Sequence, residues 1–101
     1  MYIGALEVRL RIRESRSLKD KRQVLRSIID RLRGQFNVSV AEVDARDQWQ
    51  LAVLGFAQVG EDAAGVKASL DQIANALRRH PIAEFLSCSV WVDRALLDER
   101  G

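Results

Sequence analysis

The segment YIGALEVRLRIRESRSLKDKRQVLRSIIDRL, residues 2–32, changes its periodicity partway along. From Tyr2 to Arg13 apolar and polar residues alternate, with Leu6, Val8, Leu10 and Ile12 on one side and Glu7, Arg9, Arg11 and Arg13 on the other. A period of two is that of a strand with one buried face. After Ser17, the residues Leu18, Leu25, Ile28, Ile29, Leu32 and Phe36 recur at helical spacing. Ser17 is the expected N-cap, Asp20 its short-armed capping-box partner three residues on, and Gly34 the expected end. The segment is therefore a strand feeding an amphipathic helix of about four turns.

The remaining chain repeats the motif with a hairpin inserted. NVSVAEV, from Asn37, reads as a second strand and WQLAVLGFAQV, from Trp49, as a third; the turn formers of DARDQ, Asp44 to Gln48, join them. Gly60 and EDAAG end that strand, and Val66, Leu70, Ile73, Ala74 and Leu77 mark a second helix that Pro81 cannot continue. EFLSCSVWV is a fourth strand expected to bury Leu86, Cys88, Val90 and Val92. The order is βαββαβ. Right-handed crossovers then give an α+β ferredoxin-like sandwich: a four-stranded antiparallel sheet of order 4-1-3-2 with two helices on one face. Residues 1–93 form one domain, and residues 94–101 a short tail, either a frayed turn or a docked cap.

Composition agrees with a small globular protein. The chain has 101 residues, 48% hydrophobic and 30% charged, enough for one two-layer core. No apolar run approaches the roughly 20 residues of a membrane span, and the amino terminus alternates instead of forming a leader core. The single cysteine, Cys88, allows no internal disulfide. A cytoplasmic location is expected, with no membrane partner.

The net charge of +2 conceals a strong asymmetry. Residues 1–36 hold ten Lys/Arg and four Asp/Glu, a net +6, whereas residues 37–101 hold six and ten, a net −4. This pattern prompts the question of a polyanionic partner. Lys19, Lys21 and Arg22 crowd the helix start, where the dipole is already positive. On a wheel, Lys19, Arg22, Arg26 and Arg33 share a band about 60° wide, with Lys21 at the other edge of the apolar stripe. Together with Ser17 and the helix-start N–H groups they form a candidate anion or RNA site, which Arg9, Arg11, Arg13 and Arg16 extend. The plainer account is a solvated face: Asp20 and Asp30 offset some charge, and each dipole conflict costs only about 0.3–1 kcal/mol.

The sheet face away from the helices is the second candidate. Leu54 and Phe56 on the third strand and Phe85 and Trp91 on the fourth are expected there, near Arg9 and Arg11. Interleaved aromatics and arginines can stack unpaired bases, and Gly55-Phe56-Ala57 matches part of an aromatic RNA-recognition signature. Leu54, Gln58 and Glu61 break that match. An interface with another copy is the simpler use of such a face.

Catalytic readings find less support. Acylphosphatases share this topology, but the loop RESRSLKDKR has no glycine with which to cradle a phosphate. The only histidine, His80, precedes Pro81 and suits a helix-end cap. Cys88 reads as an inert core residue. Glu42, Asp44 and Asp47 lack the spacing of a coordinating loop, so no metal and no cofactor is expected.

SRSLKDKRQVLRSIIDRL, FNVSVAEVD and the following Asp47–Gln50 resemble the bacterial YlxP-like family of uncharacterised proteins, over nearly the whole chain. The resemblance implies a small ferredoxin-like protein whose gene often lies near those of a translation initiation factor and a ribosome-binding factor. It supplies no site residues. The expectation is a noncatalytic accessory factor that binds ribosomal RNA or ribosomal and translation proteins through its first helix and preceding loop; the alternative is a homodimeric interaction module.

Overall fold

The computed structural model describes residues 1–97 and contains, in order, β1 (Tyr2–Arg11), α1 (Leu18–Gln35), β2 (Ser39–Asp44), β3 (Leu51–Gly60), α2 (Ala63–Arg78) and β4 (Glu84–Arg94). The four strands form one antiparallel sheet of order β2-β3-β1-β4, the ferredoxin-like topology expected. The segment expected as a tail begins inside β4, which runs to Arg94, and Ala95 N–H donates to Met1 O at 2.9 Å. Its last residues, 98–101, lie outside the described residues.

One side of the sheet carries the core. Leu6, Val8 and Leu10 of β1 stand opposite Phe56, Leu54 and Ala52 of β3, and all six are buried with Leu25, Ile28 and Leu32 of α1 and Leu70, Ile73 and Leu77 of α2. Full burial of a leucine or isoleucine side chain contributes about 1.5–3 kcal/mol, so this cluster dominates stability. The buried positions of α2 are the five that helical spacing marks in the sequence. Close approach of α2 depends on two glycines. A Cβ at Gly4 would collide with Val66 and stand 2.7 Å from Leu70 Cδ1, and one at Gly60 would stand 2.7 Å from Val66 Cγ2.

Local signals explain the helix ends, with one correction. Ser17 caps α1 by accepting from Asp20 N–H at 3.0 Å, while Asp20 Oδ2 accepts from Arg16 N–H. The aspartate arm thus reaches one residue before the cap. Gly34 does not end the helix: α1 continues to Gln35, and the cap is Phe36 in extended conformation. At the end of α2, His80 Nδ1 accepts from the N–H groups of Ile82 (3.2 Å) and Ala83 (3.1 Å), organising the turn past Pro81.

The outer strands depart most from expectation. On β4, Cys88, Val90 and Val92 share the helix side, but this is an edge strand and Cys88 is exposed, not buried. A register shift between Arg9 and Leu10 makes Leu86 the extra residue, so Phe85 joins the helix side beside Leu10. Phe85 packs against the core, with the Arg78 guanidinium 4.5 Å from its ring centroid.

Candidate functional site

The crowded start of α1 resolves into residues with different tasks. Lys21 is no surface cation: it is 0% exposed and occupies the first position of the buried stripe Lys21, Leu25, Ile28, Leu32. Its ammonium donates to the carbonyls of Ala45 (2.9 Å), Arg46 (3.2 Å) and Leu51 (3.2 Å). Glu42 Oε2 lies 2.8 Å away and completes the shell as an ionic neighbour without an aligned hydrogen bond of its own. An ammonium has three N–H donors, and three carbonyls use them. Lys21 therefore leaves the candidate anion site and becomes the peg that fastens α1 to the β2–β3 hairpin. The hairpin bends sharply there, with Ala45 at φ 55°. Gln50 reinforces the joint by donating to Arg13 O and Ser15 O, and Ile12 N–H donates to Gln50 O.

Other candidate cations are also engaged. Arg13 Nε donates to Glu84 Oε2 at 2.8 Å, and that bond, with the nearby positive charges of Arg13 and Arg11, holds the Glu84 carboxyl below the usual carboxylate range. Arg33 donates to Val40 O at 3.0 Å, tying the end of α1 to the edge strand β2. Arg9 stands 3.8 Å from Glu7 on the open face. The Ser17 hydroxyl is occupied by its capping bond. Ser17, Arg13 and Arg33 thus act in the fold as caps and ties.

What remains is a simpler basic surface. Arg11, Arg16, Lys19, Arg22 and Arg26 are exposed, and none has a side-chain hydrogen bond or ion pair among the described residues. Lys19, Arg22 and Arg26 follow one another along α1 at helical spacing. Arg22 and Arg26 border a groove of about 380 Å³ between α1 and β2, lined also by Leu25, Ile29, Asp30, Arg33 and Glu42. Two carboxylates at the helix start are already committed, Asp20 to Arg16 N–H and Glu42 to Lys21.

The open sheet face differs from the expected one. Leu54 is 0% and Phe56 2% exposed, both beneath the helices, and Phe85 is on that side too, so three of the four expected interface residues are misplaced. Base stacking on Phe56 is excluded by that burial. Trp91 alone is where expected, 55% exposed and opposite Ala5. The phase of β3 misleads because Ala52, Val53 and Leu54 are consecutive buried residues, leaving no alternation to read. The β1 register supplies the phase: Leu6 and Val8 face the helices, so their partners Phe56 and Leu54 must as well.

Residues missed in the sequence line a shallow apolar trough of about 540 Å³ on this face. Its floor includes Ala5, Ala41, Gly55 and Ala57; Trp91 stands at one side and Val43 at the other. Val43 is the extra residue where the β2–β3 register shifts, and it lies over Gly55, where a Cβ would come 2.7 Å from Val43 Cγ1. The usable signal was Gly55 inside a strand, which marks a bulge or close approach. Among the described residues no group of three or more His, Cys, Asp and Glu is placed to hold a metal ion, and no helix is long and apolar enough to cross a membrane.

A ferredoxin-like α+β domain with these features defines a fold class and no reaction. The chain belongs to the family described as "Protein of unknown function (DUF503)", whose model matches residues 3–90. It is 33% identical over 82 residues to the uncharacterized protein YlxP of Bacillus subtilis (strain 168), covering 81% of this chain and 89% of that protein. The two phrases that carry the resemblance in the sequence meet in space, since Lys21 of SLKDKR is paired with Glu42 of NVSVAE.

Proposed function

We propose that this protein is a noncatalytic accessory factor that binds structured RNA through the outer face of α1. The observation that carries this reading is the run Lys19, Arg22 and Arg26, with Arg16 beside it, exposed and without carboxylate partners among the described residues. Such a stripe carries the charge that phosphate contacts require, and it would position a nucleic acid without reading its bases. Arg11 extends the surface around the β1–α1 joint. Ribosomal RNA is the natural first substrate to try, because the family resemblance implies genes that neighbour translation factors.

The test is fluorescence anisotropy with a structured ribosomal RNA fragment over a salt series, comparing the native chain with a Lys19→Glu, Arg22→Glu, Arg26→Glu variant. Lys21 is left alone, since replacing it would test folding. Native binding should weaken steeply with salt, by nearly one logarithmic unit per decade for each phosphate neutralised on a duplex. The variant should lose most of its affinity. Equal binding by both proteins, or no binding by either, refutes the reading.

A further inference from the structure

We infer that the open sheet face is a self-complementary interface through which two copies of this chain pair, sheet against sheet, with Trp91 of each copy seated in the trough of the other. The first observation is composition. An antiparallel sheet with one solvated face commonly shows polar residues across that face; here Ala5, Ala41, Gly55, Ala57, Val43 and Trp91 form a contiguous apolar patch on it, bordered by Glu7, Arg9 and Arg11 of β1 and by Ser39, Ser87 and Ser89 of the edge strands. Val59 is 60%, Trp91 55% and Val43 52% exposed. An apolar surface of this kind is kept for a partner.

The second observation identifies the partner as another copy. Ser39, Ala57, Ala5 and Trp91 form one row across the sheet in the order β2, β3, β1, β4. The row has a large knob at its β4 end and small residues toward its β2 end. A two-fold axis parallel to the strands and between β3 and β1 lays the β4 side of one copy over the β2 side of the other. Each indole then descends on Ser39, Ala41 and Ala57 of the opposite copy, and the same contact is made twice, as an isologous interface requires. Glu7 and Arg9, 3.8 Å apart on the central strand, neutralise one another and set no net repulsion between the copies there.

The third observation is area. Strands of 6 to 11 residues, at about 3.3 Å per residue and about 4.8 Å between strands, give a flat footprint of roughly 600 Å² per copy. Two copies bury at most about 1,200 Å², the lower end of specific interfaces, where transient pairs are found, so association is sought from micromolar concentration upward. This arrangement leaves both α1 helices on the outside, so it is compatible with the RNA reading of Lys19, Arg22 and Arg26; only Arg11, at the end of β1 on the open face, is shared between the two surfaces.

Sedimentation equilibrium of the full chain from about 1 to about 500 µM spans that range. The mass should rise from the 11.4 kDa of one chain toward twice that value. Trp91→Ala should weaken association by at least about 30-fold, and Ala57→Arg should abolish it, both with unchanged circular dichroism because the positions lie on the surface. In a Trp49→Phe background, Trp91 emission should shift to the blue in step with the mass. A native chain that remains at 11.4 kDa throughout overturns the inference. So does a dimer that tolerates Ala57→Arg, or a mass increase without the Trp91 shift.

Discussion

Replacing Lys21 by methionine keeps most of the side-chain volume and removes the ammonium. Three carbonyls, of Ala45, Arg46 and Leu51, lose their donor, and the Glu42 carboxylate, with only 15% of its side chain exposed, loses its counter-ion 2.8 Å away. Breaking a buried pair in this one-sided way costs about 3–5 kcal/mol, because the surviving charge stays desolvated. For a domain of this size, where 1 kcal/mol moves Tm by roughly 4–8 °C, the midpoint should fall by some 15–30 °C. Urea denaturation followed by circular dichroism measures the free energy directly. The double variant Lys21→Met, Glu42→Leu should regain about 1–3 kcal/mol over the sum of the single changes, since no orphaned carboxylate is left. Hydrogen exchange should quicken from Ala45 to Gln48, the loop the ammonium holds. A Lys21→Met protein within about 1 kcal/mol of native, or strict additivity with Glu42→Leu, would refute the idea of a structural peg. Loss of RNA affinity without loss of stability would return Lys21 to the binding surface.

Three further outcomes follow from single positions. Burial and, secondarily, the charge of Arg31 hold the His80 pKa below its ordinary value, so between the two values the unfolded chain binds more protons; stability should be full above about pH 6.5 and decline as pH falls below it. Urea midpoints from pH 8 to pH 5 should show that decline, and His80→Leu, although less stable throughout, should flatten it. Gly4→Ala should cost about 1–3 kcal/mol in urea titrations by driving a methyl into Val66 and Leu70. Gly34→Ala should do the reverse and add about 0.5–1 kcal/mol, because Gly34 lies within α1 with nothing within 4 Å of the new carbon.

The amino-acid sequence by itself determined the six elements, their order and therefore the sheet topology, because period two, period 3.6 and the local chemistry of caps and turns are written into neighbouring residues. The alternation of β1, the Ser17 cap and the five buried positions of α2 are all short-range properties of this kind, whereas the His80 side chain, expected as a helix-end cap, instead accepts from Ile82 and Ala83 in the turn that follows. Tertiary structure decided whatever depends on a partner distant along the chain. The face of β3 could not be read from a stretch buried on consecutive residues and was set by pairing with β1. Phe85 changed sides because one extra residue in β4 slips past Arg9 and Leu10, and a slip of one reverses a strand's faces. The candidate site divided for the same reason. Lys19, Arg22 and Arg26 remain exposed as their charge pattern suggests, whereas Lys21, one residue from Arg22, lies on the inward side of the helix, where the acceptors it needs sit 24 to 30 residues away in the hairpin. Its place in the series 21, 25, 28, 32 was legible as buried spacing; that a cation could occupy it became clear only once folding brought three carbonyls and a carboxylate to meet its charge.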